Sequence, residues 1–394
     1  MHPSNAVAAA SHPDPYPYYR QLLAGPDLYF DAGLRLWIAS RNDVIRQVLE
    51  NPFCLVRPVA EPVPAVLEGG GAGAIFARLI RMNDGSGHVV PKRVVGQALA
   101  ALDAASVASG TERLAARLAL RYGLADGAAI TRWIFDLPTY VVAELLGTGD
   151  AELPLVAQSV AEFVRCLSPL STAEQLSQAN IAAQALNQQF SEVVRSGAVT
   201  RGTLLGELCR RAADEGWRAQ EAIVANVIGL LSQTHEATAG LIGNCIVALL
   251  RQPGLERRMR AEPWLAAALV REVARFDPPV QNTRRFVAQA TDVAGVTLQP
   301  GDAVLLLLAA AGRDENVHTR PDTFLLERPD RPLAGFGHGR HACPGQDLAF
   351  VIATVAVRHL LALPVALGRA GLGWDYRRSA NARLPEFFGV GSEE

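Results

Sequence analysis

Hydrophobic positions change their period along this chain. In the first third, short strand-like pieces such as Leu36 to Ala39 (LWIA) mix with helical segments such as Arg41 to Glu50. From about Ala104 to Leu250 the pattern is nearly all helical, in Ala-rich amphipathic runs. Around Thr291 to Leu308 it turns strand-like, and TDVAGVTLQPGD predicts a hairpin or small sheet. A last apolar helical run follows, QDLAFVIATVAVRHLLAL. Glu61 to Gly73 (EPVPAVLEGGGAG) reads as a loop from its Pro and Gly content. With no repeat period, low-complexity block or obvious linker, the prediction is one large domain over 1–394, mainly α with small β-sheets attached.

One segment breaks its own pattern. At about 1.5 Å per residue, Glu221 to Leu250 would form a helix of roughly 45 Å. Its ends are apolar, yet its centre holds Ser232, Gln233, Thr234, His235, Glu236 and Thr238. Such groups are costly to bury unless partners or a ligand cavity satisfy them. A polar break in a buried helix suggests a site; a helix with one wet face is the alternative.

Composition narrows the class. A hydrophobic share of 49% and a charged share of 19% are those of a globular protein. A net charge of -2 lacks the dominant basic field of proteins that coat nucleic acid, leaving room only for a local basic patch. The amino terminus has no basic region followed by an apolar run, so a cytoplasmic location is expected. The longest apolar stretches, Ala222 to Leu231 and Val304 to Ala311, fall well short of the roughly 20 residues that span a bilayer, which predicts no membrane anchor. The five cysteines are scattered singly without CxxC, implying neither a disulfide framework nor a zinc knuckle.

The sharpest chemistry lies at Gly335 to Gly345, GFGHGRHACPG, where glycines surround Cys343 just before the last helical run. Pro344 suits a first helical turn. A thiolate near a helix N-terminus is stabilised by the unpaired N–H groups and the dipole. Glycine also lets the backbone approach a large flat partner. The bland alternative is a buried cysteine beside a glycine-rich turn. Phe336, Gly339, Cys343 and Gly345, however, match FxxGxxxCxG position by position, and here the chain resembles the cytochrome P450 family, soluble bacterial type. The resemblance implies haem b (iron protoporphyrin IX) with Cys343 as axial iron ligand, Phe336 packed near it and His341 reaching a propionate. Thiolate ligation favours O–O cleavage over reversible O2 carriage.

Other segments extend the resemblance. Glu272 and Arg275, three apart on one helix face, look like the family's ExxR pair, with Arg328 as the third member of a structural network; Leu326 stands where a proline is usual. Arg285 falls at a propionate-binding position, ahead of its neighbour Arg284. His88 and Lys92 occupy HxxxR with lysine for arginine, and Arg93 follows immediately.

The long helix resembles the oxygen-activating helix with departures. Glu236 holds the acid position of AGxET, but the alcohol position falls on Ala237, and Gln233 and Thr234 replace the small pair. Thr238 lies one residue on, about 100° around a helix, so it cannot simply substitute. The expectation is proton delivery through Glu236 and water, assisted by Thr234, His235 or a substrate hydroxyl.

The resemblance as a whole implies a haem between a long distal helix and a proximal cysteine loop, and a monooxygenase using O2 on a small, largely apolar substrate. No reductase module is recognisable, so electrons would come from a separate ferredoxin and ferredoxin reductase, with Arg340, Lys92 and Arg93 offering a basic face. The expected lining is Val59 to Ile80, Ala161 to Ala183, Leu230 to Thr238, Val280 to Thr283 and Leu384 to Phe388, with Phe163, Phe387 and Phe388 as contacts. The alternatives are peroxide-driven or otherwise atypical haem-thiolate oxidation, or a non-catalytic haem-binding sensor or recruitment domain.

Overall fold

The computed structural model describes residues 2–196, 202–329, 332–363 and 371–389. In chain order its helices are α1 (Tyr16–Leu23), α2 (Asn42–Glu50), α3 (Gly71–Arg78), α4 (Ser86–Ala100), α5 (Ala104–Tyr122), α6 (Gly127–Leu145), α7 (Leu153–Phe163) and α8 (Ala173–Ser196). They continue with α9 (Leu204–Asp214), α10 (Gln220–Arg251), α11 (Pro253–Ala261), α12 (Ala266–Phe276), α13 (Leu308–Ala311) and α14 (Gln346–Ala362). The strands are β1 (Leu28–Asp31), β2 (Leu36–Ala39), β3 (Cys54–Leu55), β4 (Thr283–Val287), β5 (Thr291–Val293), β6 (Val296–Leu298), β7 (Ala303–Leu306), β8 (Leu372–Tyr376) and β9 (Pro385–Gly389). The fold is thus mainly helical with small sheets, as the pattern predicts. Among the described residues no helix is long and apolar enough to cross a membrane.

Two compact units emerge, one of Met1–Cys54, Ala108–Leu137 and Glu236–Glu394, the other of Leu55–Val107 and Pro138–His235. In the first, five strands run in the order β1-β2-β7-β4-β3. The strand period of two divides β2 and β7 between two cores. Ile38 and Leu305 pair and face Tyr16 and Tyr19 of α1. Ala39 and Leu306 pair and face Val44, Ile45, Val48 and Leu49 of α2. Covered on both faces, central β7 reads as a continuous apolar run.

The strand-like stretch around Thr291 to Leu308 divides. β5 and β6 form a separate hairpin turning on Ala294 and Gly295, both at positive φ, whereas β7 joins the large sheet. Two successive positive φ angles give the turn whose twist matches a tight hairpin.

In the second unit α7 and α3 pack against α8, and α4 packs against α9. Here the loop expected through Gly73 ends early, because α3 already begins at Gly71. The glycines serve close packing. A Cβ on Gly70 would lie 2.4 Å from Asn180 Oδ1, and one on Gly73 would lie 2.0 Å from the Leu67 carbonyl oxygen. Asn180 Oδ1 accepts from the Ala72 amide at 3.0 Å, satisfying a free donor of the first turn of α3.

Candidate haem-thiolate site

Cys343 sits on a loop that closes on itself. Gly337 and Gly339 take φ +73 and +64, conformations L side chains rarely adopt, and the Cys343 amide donates to the Phe336 carbonyl at 2.8 Å. Phe336 packs edge-on against Phe350 of α14, ring centroids 5.1 Å apart. Pro344 precedes the helix instead of opening it: α14 starts at Gln346 with Gly345 as its cap residue, so Cys343 lies in the approach to the helix. The thiol is exposed, whereas Cys54, Cys166 and Cys245 are buried and Cys209 is half-buried. Burial pushes those four thiols up, Cys166 to about 12. His341 is half-buried in the short 3-10 turn Gly339–His341.

The strand β4 alternates its two arginines. Arg285 pairs with Val304 and shares its face toward α2, only 5% exposed, and its charge reaches Cys54. Arg284 turns to the other face, where burial lowers its pKa. In α4, His88 is 4% exposed and Lys92, one turn on, is half-buried. Arg93 is exposed and bonds Glu215 at 2.7 Å. That bond gives Arg93 a separate role and leaves His88 and Lys92 as the pair on one helix face.

Behind the cysteine loop, Glu272 and Arg275 are fully buried in α12 and form a two-point ion pair, 2.6 Å and 3.1 Å. Arg328 Nε lies 3.4 Å from the same carboxylate, and the Leu325 amide donates to it at 3.0 Å. The two guanidiniums also donate to the carbonyls of Gly312, Thr319, Pro321 and Thr323. Burial alone would raise the Glu272 carboxyl, but Arg275, the Leu325 amide and Arg328 hold it below its ordinary value. Beside this cluster His318 is 2% exposed, and burial plus the charges of Arg275 and Arg328 lower it to about 4.

The polar centre of α10 divides by face. Leu230, Gln233, Thr234 and Ala237, spaced as one helical stripe, all remain accessible, as does Glu236 beside them. Ser232, His235 and Thr238 are buried. His235 Nδ1 is 3.0 Å from Thr139 Oγ1 of α6, so this imidazole has a structural partner on the buried face. Thr238, at 2% exposure, does not share the stripe that Ala237 occupies.

Sequence reasoning missed Asn226 and Asn244. The Asn226 side chain accepts from the Ile80 amide at 2.8 Å and donates to the Arg78 carbonyl at 2.9 Å; Asn244 donates to the Asp277 carbonyl at 2.9 Å. A lone Asn inside the apolar runs IVANVIG and IGNCIVAL was the available signal, because a buried amide must find partners. Burial also corrects the expected lining. Phe163 is 0% and Phe387 is 4% exposed, so these rings pack in protein, while Phe388 is 49% exposed.

A family model described as Cytochrome P450 matches residues 203–363, a stretch that contains the polar stripe, the ion-pair cluster and the cysteine loop. The chain is 28% identical over 381 residues to Cytochrome P450 144 of Mycobacterium tuberculosis, covering 93% of this chain and 86% of that protein. The crystal structure of CalO2 superposes with a TM-score of 0.81 at 28% identity, covering 96% of each chain. Together these likenesses support a bacterial-type cytochrome P450. Over a shorter stretch, 63% of each chain, it is 29% identical to the Biotin biosynthesis cytochrome P450 of Bacillus subtilis. The likeness supports a monooxygenase-type oxidoreductase and implies haem, O2 and an electron-donating redox partner. The residues present fit that group: one exposed cysteine on a glycine-turned loop, with the buried guanidinium of Arg285 in the same unit.

Proposed function

We propose that this P450 oxidises, by default hydroxylates, a small and largely apolar organic or natural-product molecule within one haem domain. The observation that carries the reading is the exposure of Cys343 on its closed loop while the other thiols are withdrawn. In this reading Cys343 ligates the iron of haem b, Phe336 shields the thiolate, and Gly339 and Gly345 leave room for the flat ring. The propionates need cationic or hydrogen-bonding partners, a part that suits His341, His88, Lys92 and Arg285. Glu272, Arg275 and Arg328 brace the loop without touching the chemistry. When bound, haem supplies activation of O2 with two electrons, and thiolate ligation favours O–O cleavage.

On α10 the residues Glu236 and Thr234 are partly accessible, so their carboxyl and hydroxyl are the groups assigned to hold and pass protons, with water completing the path. His235 orients the helix through Thr139, and Thr238 packs. The electrons come from a separate ferredoxin and its reductase in the cytoplasm.

The carbon monoxide complex of the dithionite-reduced protein tests this assignment. A strongly red-shifted Soret band in the wild type, absent in Cys343→Ser, is the expected result. A histidine-type carbonyl spectrum in the wild type, or no bound haem, would overturn it.

A further inference from the structure

The cysteine loop is tied to a part of the fold that the family signature does not include. Arg340, three residues before Cys343, reaches out of the loop to the carboxyl end of α2. Its Nη2 donates to the Asn51 carbonyl at 2.8 Å and the Cys54 carbonyl at 3.1 Å, and Nη1 to the Glu50 carbonyl at 3.3 Å. The last carbonyls of a helix have no partner within it, and the negative end of its dipole favours a cation there. Arg340 answers both needs at once. Gly339, at φ +64, makes the turn that brings Arg340 there.

The anchorage is firm at its far end. Asn51 Nδ2 donates to Thr291 Oγ1 at 2.8 Å, and the Ala294 amide donates to Gln47 Oε1 at 3.2 Å, so the β5–β6 hairpin grips the end of α2. Val48 and Leu49 of α2 share a core with Val293 and Leu298 of that hairpin. The neighbouring pair of His338 Nε2 with Glu50 Oε1, 2.5 Å apart, links the same two elements. It joins exposed side chains that can swing away, whereas the Arg340 acceptors are main-chain carbonyls that cannot.

We propose that Arg340 is a positioning residue, a three-carbonyl clamp that fixes the thiolate-bearing loop against α2 and the β5–β6 hairpin. The inference rests on the assignment of Cys343 as iron ligand. A planar guanidinium can span three acceptors, and an ammonium at the same place cannot hold all of them. The clamp therefore depends on shape as well as charge.

The test follows the decay of the red-shifted ferrous carbon monoxide band of the haem-loaded protein under mild warming, in wild type, Arg340→Ala, Arg340→Lys and Arg210→Ala. Arg210 lies on the exposed face of α9, paired with Glu207 and Asp214, and its removal controls for lost charge. The expected result is decay roughly tenfold faster in Arg340→Ala, the scale of losing hydrogen bonds to a charged group. Arg340→Lys should recover only part of the loss and Arg210→Ala should behave as wild type, with the thermal unfolding midpoint of all four alike. Equal decay in wild type and Arg340→Ala overturns the clamp alone. A wild type without the red-shifted band overturns the Cys343 assignment, and the clamp falls with it.

Discussion

Ala237 is the residue where this chain most sharply departs from its family's pattern, and its neighbours decide what that means. It lies on the accessible stripe with Thr234, while Thr238, at the edge of that stripe, is buried. A hydroxyl at 237 would therefore stand at an accessible position one turn from Thr234, whereas the one at 238 is buried. Ala237→Thr is expected to raise coupling, read as product formed per NADPH consumed with a reconstituted redox system, and Thr238→Val is expected to leave it near wild type. If Thr238→Val collapsed coupling instead, the division of α10 into a working face and a packed face would be wrong. Positioned donors contribute about 100-fold or more to proton-transfer steps, so a change at 237 should be plainly measurable.

Among the elements, α3 shows how composition misleads when packing intervenes. GGGAG has the look of a loop, because each glycine weakens a helix by about 1 kcal/mol relative to alanine. The helix forms there because Asn180 of α8 satisfies its first turn and because Gly73 brings the chain onto the Leu67 carbonyl. Gly73→Ala should accordingly destabilise by about 2 kcal/mol or more, since the clash is with backbone and propensity alone would stabilise. Denaturant unfolding checks the sign: a stabilised Gly73→Ala would refute the close approach. The helix α10 was readable by contrast, with apolar ends and a polar centre over 32 residues. Which side of that centre is open depends on what packs against it, and period alone could not say.

The stability of the fold against acid follows from its buried titratable groups. His318 has its pKa lowered to about 4 by burial and by Arg275 and Arg328. Unfolded, it titrates near 6.5, so between those values the unfolded chain binds the extra proton and stability falls as pH falls. Glu272, held below its ordinary value, acts in the same direction at lower pH: its stabilisation is present above the unfolded carboxylate value and is lost as pH drops through the folded one. From about pH 7 to about pH 5 the His318 contribution should amount to about 2 kcal/mol. His318→Gln should abolish that part of the acid sensitivity in urea unfolding; an unchanged slope would show that His318 does not titrate this way.

The amino-acid sequence alone determined the resemblance to the cytochrome P450 family, the choice of Cys343 as the candidate ligand and the alternation of helical and strand segments. Those features live in residue type and short spacing: FxxGxxxCxG around Cys343, ExxR at Glu272 and Arg275, the polar interruption of α10. The tertiary structure decided what spacing cannot carry. It turned Arg285 and not Arg284 toward α2, gave Arg93 to Glu215, withdrew His235 and Thr238 from the open stripe, buried Phe163 and set Arg340 on the end of α2. Each of these depends on contacts between residues far apart in the chain, and burial and hydrogen-bond satisfaction are properties of such contacts.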